Sequence, residues 1–156
     1  MEQTKLSGTW RLVSLQFEFA DTRECADMYG TEPLGYLIIT QDRRMMTIIT
    51  SQGRTPPRGD DEAAKLFESM MAYSGPYRVE GDQFITSVEV AWHPAWVGTE
   101  QARFYAVAGD TLSIVTAQIQ HPMFPGRTGR GALKWQRAET PSTPAASVDP
   151  RRAVDL

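Results

Sequence analysis

Two short turns, Glu80-Gly81-Asp82 and Ala108-Gly109-Asp110, each separate stretches in which apolar and polar residues alternate with period two. A connection that short joins only antiparallel neighbours, because parallel strands need a crossover of a dozen residues or more. The same alternation predicts strands over residues 8–20, 34–40, 44–50, 76–80, 83–92, 100–107, 111–117 and 131–137. Eight antiparallel strands in sequence close most simply as an up-and-down β-barrel, wide enough inside for one small ligand. The predicted fold class is therefore all-β, with a barrel domain over residues 5–138. In such a barrel the first strand lies beside the last. Trp10 then plugs one end, and Arg137 lays its guanidinium over the indole.

One segment breaks the period. Between the third and fourth strands, Ala63, Leu66, Phe67, Met70 and Met71 recur at spacings of three and four, which predicts a helix over residues 60–72. Asp60 is placed to cap its free amides, and Asp61 and Glu62 suit the positive end of its dipole. Its methionine-bearing face is either packing or an adaptable wall of a ligand pocket. Pro56-Pro57 keep residues 51–59 out of helix and central strand. Residues 21–33 and 118–130 read as long loops, and 139–156, with Pro141, Pro144 and Pro150, as a flexible tail.

Composition removes several function classes. A net charge of −3 and a pI near 5.4 favour no nucleic-acid partner. Met1 to Lys5 hold no apolar h-region and no apolar run approaches the length of a membrane span, so neither a signal peptide nor a membrane anchor is expected, and the cytoplasm is the simplest compartment. Cys25 is alone and forms no internal disulfide. Two histidines and one cysteine make no metal site. Phosphate-cradling, dinucleotide-binding and serine-elbow motifs are all missing, so no cofactor is expected.

The phase of the first strand is the ambiguous point. With Trp10 inward, Leu12, Ser14, Gln16 and Glu18 also point inward, while Val13, Leu15, Phe17 and Phe19 point outward. A polar inner row implies a cavity rather than a filled core. An apolar outer row that long implies cover, by the helix or by a second copy in a possible homodimer. A bulge midway would reverse the phase of the strand's second half.

Arg103 shares the inward face of its strand with Tyr105 and Val107, where an unpaired charge is prohibitive. Either it forms an internal bridge with Glu18 or Glu89, or it binds a carboxylate, enolate or carbonyl oxygen of a ligand. Glu18 is a general-base candidate if an apolar wall raises its pKa, and a solvated rim residue otherwise. His93, in a loop with Trp92, Pro94 and Trp96, is an acid–base candidate or a rim histidine. The catalytic candidates are thus Arg103, Glu18 and His93. The ligand-binding candidates are Ser14 and Gln16; Trp92 and Trp96 as a stacking wall or lid; Tyr36, Tyr73, Tyr77 and Tyr105 as hydroxyl donors; and Met45 and Thr116 on the pocket wall.

The ordered set Gly8-Thr9-Trp10-Arg11-Leu12-Val13-Ser14, Gly35-Tyr36-Leu37, Arg44-Met45, Ala72-Tyr73-Ser74-Gly75 with Tyr77, Trp96-Val97-Gly98-Thr99, Arg103, Gly109-Asp110 and Trp135-Gln136-Arg137 resembles the bacterial and fungal lipocalin-like domain family over about residues 5–138. The resemblance implies an eight-stranded calyx that holds an apolar small molecule. Related small barrels in biosynthetic pathways act as cofactor-free cyclases or isomerases. Members of the family tend to carry histidine around the positions of Thr86 and Ser87, and its absence here weakens an acid–base role on that strand. Arg43 stands where a turn glycine is usual.

Three functions follow as expectations. The first is a cofactor-independent cyclase or isomerase for an apolar, oxygen-bearing metabolite of polyketide or terpenoid type, in which the barrel folds a flexible substrate and Arg103 with a tyrosine polarises a carbonyl. The second is a non-catalytic carrier or sequestering protein with the same pocket. The third is a structural domain with a filled interior.

Overall fold

Among residues 5–140, which a computed structural model describes, the alternating stretches form an all-antiparallel sheet that closes on itself. Its strands are β1 (Gly8–Phe19), β2 (Cys25–Asp27), β3 (Leu34–Ile39), β4 (Arg44–Thr50), β5 (Met70–Glu80), β6 (Gln83–Ser87), β7 (Val90–Ala91), β8 (Glu100–Ala108), β9 (Thr111–Val115), β10 (Ile119–Gln120) and β11 (Thr128–Arg137). The helix α1 (Asp60–Glu68) precedes β5, and a 3-10 turn, Pro94–Trp96, follows β7. The barrel itself runs β1-β3-β4-β5-β6-β8-β9-β11 and back to β1, eight strands of up-and-down connectivity. The short strands β2, β7 and β10 pair onto β1, β5 and β11. The tail expected over 139–156 lies, from residue 141 on, outside the described residues.

Closure works through the first and last strands. Trp10 pairs with Arg137 across the seam and is wholly buried. Its indole N–H donates to the Leu6 carbonyl at 2.9 Å, so the ring enters the core with its one polar group satisfied. The Arg137 guanidinium lies 4.1 Å from the ring centroid and donates to the carbonyls of Ser7 and Lys5, both at 3.0 Å.

The first strand changes phase. Between Leu12 and Ser14 the register against β11 slips by one residue, and Val13 bulges out, 47% exposed. Trp10 and Leu12 face inward before the slip; Leu15, Phe17 and Phe19 face inward after it. The expectation of an inner row of Ser14, Gln16 and Glu18 is therefore corrected: all three face outward. The energies favour this. Burying a large apolar side chain contributes about 1.5–3 kcal/mol, so three outweigh the roughly 1 kcal/mol of a forgone ladder hydrogen bond. The proposed apolar outer ribbon on this strand disappears with the correction, and with it that argument for a homodimer. Exposed apolar side chains lie instead on the outer faces of β3 and β4, at Leu34, Tyr36, Ile38, Met46 and Ile48.

The helix is shorter than the periodicity predicts. It ends at Glu68, because Met70 and Met71 pair with Thr50 and Ile49 as the start of β5. Ladder bonds and a place in the barrel wall outweigh helix propensity there. Ser69 stops the helix, its amide and hydroxyl both donating to the Leu66 carbonyl. Gly59, not Asp60, is the N-cap and makes no side-chain cap; the Glu62 carboxylate accepts the Arg58 amide instead. No residue of α1 is buried, so it does not cover the barrel.

The strand expected over 83–92 is also interrupted. β6 ends at Ser87, whose carbonyl oxygen occupies the place a Cβ would take on Gly75. β7 then resumes against Tyr73 and Ser74 of β5. Arg43, in the β3–β4 turn, sits at φ 67°, a left-handed conformation that costs a non-glycine residue roughly 1–2 kcal/mol. Among the described residues, no helix is long and apolar enough to cross a membrane.

Candidate functional site

The inner faces of the barrel strands do not meet at the centre. They enclose a cavity of about 150 Å³. Its wall comes from Leu15 and Phe17 of β1, Leu37 of β3, Met45, Thr47 and Ile49 of β4, Met71 and Tyr73 of β5, Phe84 of β6, Arg103 of β8, Ile114 of β9 and Leu133 and Trp135 of β11. Thr116 and Gly131 complete the wall, Ile119 joins it from β10, and Met28, Trp96 and His121 reach it from the connections.

Most of these side chains are apolar, so the polar few decide the chemistry. The Thr47 hydroxyl donates to the Tyr36 carbonyl at 3.1 Å. That of Thr116 donates to the Ala117 carbonyl and accepts the Gly131 amide, both at 2.9 Å. Both hydroxyl protons are thereby committed to the backbone. Arg103 donates to the Ala102 carbonyl at 2.8 Å and the Gln101 side-chain oxygen at 3.1 Å. Among the described residues it meets no carboxylate: Glu18 pairs with Arg23 and Arg130, and Glu89 with Arg44. The internal bridge considered for Arg103 is thus not formed. Among the described residues, no acidic side chain and no lysine lines the cavity.

His121 is the titratable neighbour that sequence patterning did not single out as a site residue. Its ring packs on Phe17 and Phe124, and its Nδ1 accepts the Met123 amide at 3.2 Å. Burial pushes its pKa below the usual 6.5. The neutral ring with Nδ1 accepting carries its proton on Nε2, which makes it a donor. Because the folded protein binds this proton less readily than the unfolded chain, stability attributable to His121 is full above about pH 6.5 and declines as the pH falls through the lowered value. Urea unfolding of the wild type and His121→Asn between pH 7 and 5 is expected to show the steeper loss in the wild type.

The candidates separate clearly by position. Arg103, Met45, Tyr73, Trp96 and Thr116 lie on the cavity wall. Tyr77 is buried and Tyr105 packs on Phe84, but neither reaches the wall. Glu18 faces outward between Arg23 (3.0 Å) and Arg130 (3.1 Å), which corrects its assignment as a base near an apolar wall. Gln16 binds Asp27 outside the barrel, and Ser14 shares its outward face. Tyr36 stands 52% exposed on the outer face of β3. Trp92 donates to the Phe67 carbonyl, and His93 is exposed with its Nδ1 taken by the Ala95 amide. Both therefore lie off the cavity, while Trp96, packed on Tyr73 at 5.3 Å, swings in. Leu15, Phe17 and Trp135 are wall residues missed from sequence. The bulge hid the first two, and Trp135 was read only as part of the closing strand, although it shares a face with Leu133.

A family model for the lipocalin-like domain matches residues 7–138. The chain belongs to the lipocalin-like domain family. The match spans the whole barrel, from β1 to β11. A curated relative, the 4'-hydroxy-3'-methoxypropiophenone carrier protein ppsC of Aspergillus oryzae, is 31% identical over 87 residues, which cover 50% of this chain and 76% of the relative.

Proposed function

We propose that this lipocalin-like protein is a carrier or sequestering barrel for a small apolar molecule built on one ring and bearing oxygen. The observation that carries this reading is Arg103, a guanidinium on the wall of an apolar cavity with no carboxylate among the described residues to neutralise it. Such a group favours an oxygen acceptor on whatever enters. The volume supports one ring, since an apolar cavity of about 150 Å³ is of the size that admits benzene. The relative's name supports the ligand class, a ring-substituted propiophenone.

Cofactor-free cyclisation or isomerisation is the second reading, favoured by Arg103 and His121 on one wall. It is weaker because Glu18 and His93 lie off the cavity and the Nδ1 of His121 is already an acceptor. The test is a titration with 4'-hydroxypropiophenone, read by tryptophan fluorescence because Trp96 and Trp135 line the cavity. Saturable one-to-one binding with the ligand recovered unchanged is expected. Arg103→Leu should weaken it about 10- to 100-fold, the equivalent of a charged hydrogen bond, with little change in melting temperature because no carboxylate among the described residues is left unpaired. Recovery of a rearranged product would favour catalysis; no saturable binding would end both readings.

A further inference from the structure

The Trp135 side chain is 1% exposed and forms part of the cavity wall, and its indole N–H meets no acceptor among the described residues. An N–H donor so placed loses its water on folding and regains nothing from the protein, a cost most buried donors avoid. The other tryptophan buried as deeply, Trp10, has its N–H on the Leu6 carbonyl. The contrast is between a ring that plugs the seam and a ring that walls the cavity.

The Thr47 and Thr116 hydroxyls give their protons to backbone carbonyls and keep only lone pairs. Arg103 has only donors, and neutral His121 carries its free proton on Nε2. The β8–β9–β11 ladder separates the two strongest donors. Leu112 pairs with both Val107 and Trp135, and Ile114 with both Tyr105 and Leu133, so Arg103 falls level with Thr116 and Gly131. Trp135 is four residues further along, about 13 Å of strand. A ligand that meets both donors therefore needs an oxygen at each end.

Resting on the binding reading above, we infer that Trp135 is a specificity-determining residue: its indole N–H receives a neutral carbonyl oxygen of the ligand, whose opposite end presents a second oxygen to Arg103. The cavity therefore selects an aryl ketone over a hydrocarbon of the same shape.

The test compares 4'-hydroxypropiophenone with 4-(but-1-en-2-yl)phenol, in which CH2 replaces the carbonyl oxygen, at about pH 6, where both phenols are neutral. Both are titrated into the wild-type protein, so no variant needs to fold. Indole N–H signals are followed by proton–nitrogen NMR; the chain has four tryptophans, and Trp135→Phe identifies the signal. The ketone is expected to bind about tenfold more tightly, the equivalent of one hydrogen bond made in place of one left open, and to move the Trp135 proton downfield while the alkene does not. Equal or tighter binding of the alkene, or the same Trp135 shift with both, overturns the role of Trp135 and leaves the one-ring cavity standing. Failure of both to bind overturns the binding reading and this inference with it.

Discussion

Trp10→Ala is expected to cost about 3–5 kcal/mol, a large part of the roughly 5–15 kcal/mol that holds an ordinary domain folded. The residue is wholly buried at the seam where β1 meets β11, so truncation leaves a void where the sheet closes. It also strands the Leu6 carbonyl, which loses its only indole donor, and uncovers the Arg137 guanidinium that lies 4.1 Å from the ring. Arg137→Ala should cost less, because the ring remains to fill the seam. Its loss still frees the Ser7 and Lys5 carbonyls that tie the chain's start to the last strand. The two changes share one contact, worth about 0.5–2 kcal/mol as a cation–π pair, so their effects should not add. Urea unfolding of the wild type, both single variants and the double variant measures the coupling. Strict additivity would remove the stacking from any account of closure.

The barrel was legible in the chain because each of its determinants is local. The Glu80-Gly81-Asp82 and Ala108-Gly109-Asp110 turns dictate antiparallel neighbours, and the count of alternating stretches then leaves one simple closure. Where the reading of the fold failed, a long-range term outweighed a local one. Met70 and Met71 continue the helical spacing of Leu66 and Phe67, yet pairing with β4 recruits them into β5. The alternation of Phe84, Thr86, Val88 and Val90 suggests one strand, yet Gly75 lets the Ser87 carbonyl press against β5 and the ladder breaks there.

The site was less legible, and a single residue accounts for most of the difference. Side chains alternate with period two, so an extra residue at Val13 exchanges the two faces for the rest of β1. It moves Ser14, Gln16 and Glu18 outside and brings Leu15, Phe17 and Phe19 in. The apolar row that suggested a covering partner was the signal: three large side chains on a supposed outer face are better explained by a slip than by a second subunit. On β8 no slip occurs, and Arg103 stands on the wall as its alternation with Tyr105 and Val107 indicates. His121 was not named as a site residue because its loop has no period from which a direction can be read.

Ile114→Trp is expected to weaken ligand binding by roughly 10- to 150-fold or more, the equivalent of the 1.5–3 kcal/mol that one apolar ring gains on leaving water. The question it settles is which surface binds. A groove of about 360 Å³ on the outer face, lined by Leu34, Tyr36, Ile38, Met46 and Ile48, is larger than the inner cavity of about 150 Å³. Size alone would favour the groove. Its walls, however, are themselves about half exposed, with Ile48 at 49% and Tyr36 at 52%, so a ligand there stays partly in water. Small-molecule sites bury about 70–90% of their ligand, and the cavity, whose Ile114 is only 4% exposed, meets that demand. An indole in place of the Ile114 side chain takes the room the ring needs. Aromatic side chains suit strands, and overpacking costs about 1–3 kcal/mol, so the fold should persist, which far-UV circular dichroism and a thermal melt verify. Ile48→Glu, on the outer face of the same barrel, is the matched control: it makes the groove polar and leaves the cavity untouched. Loss of 4'-hydroxypropiophenone binding in Ile114→Trp with full binding in Ile48→Glu places the ligand inside the calyx. The reverse pattern would place it on the β3–β4 face, and Arg103 and Trp135 would then have no part in recognising it.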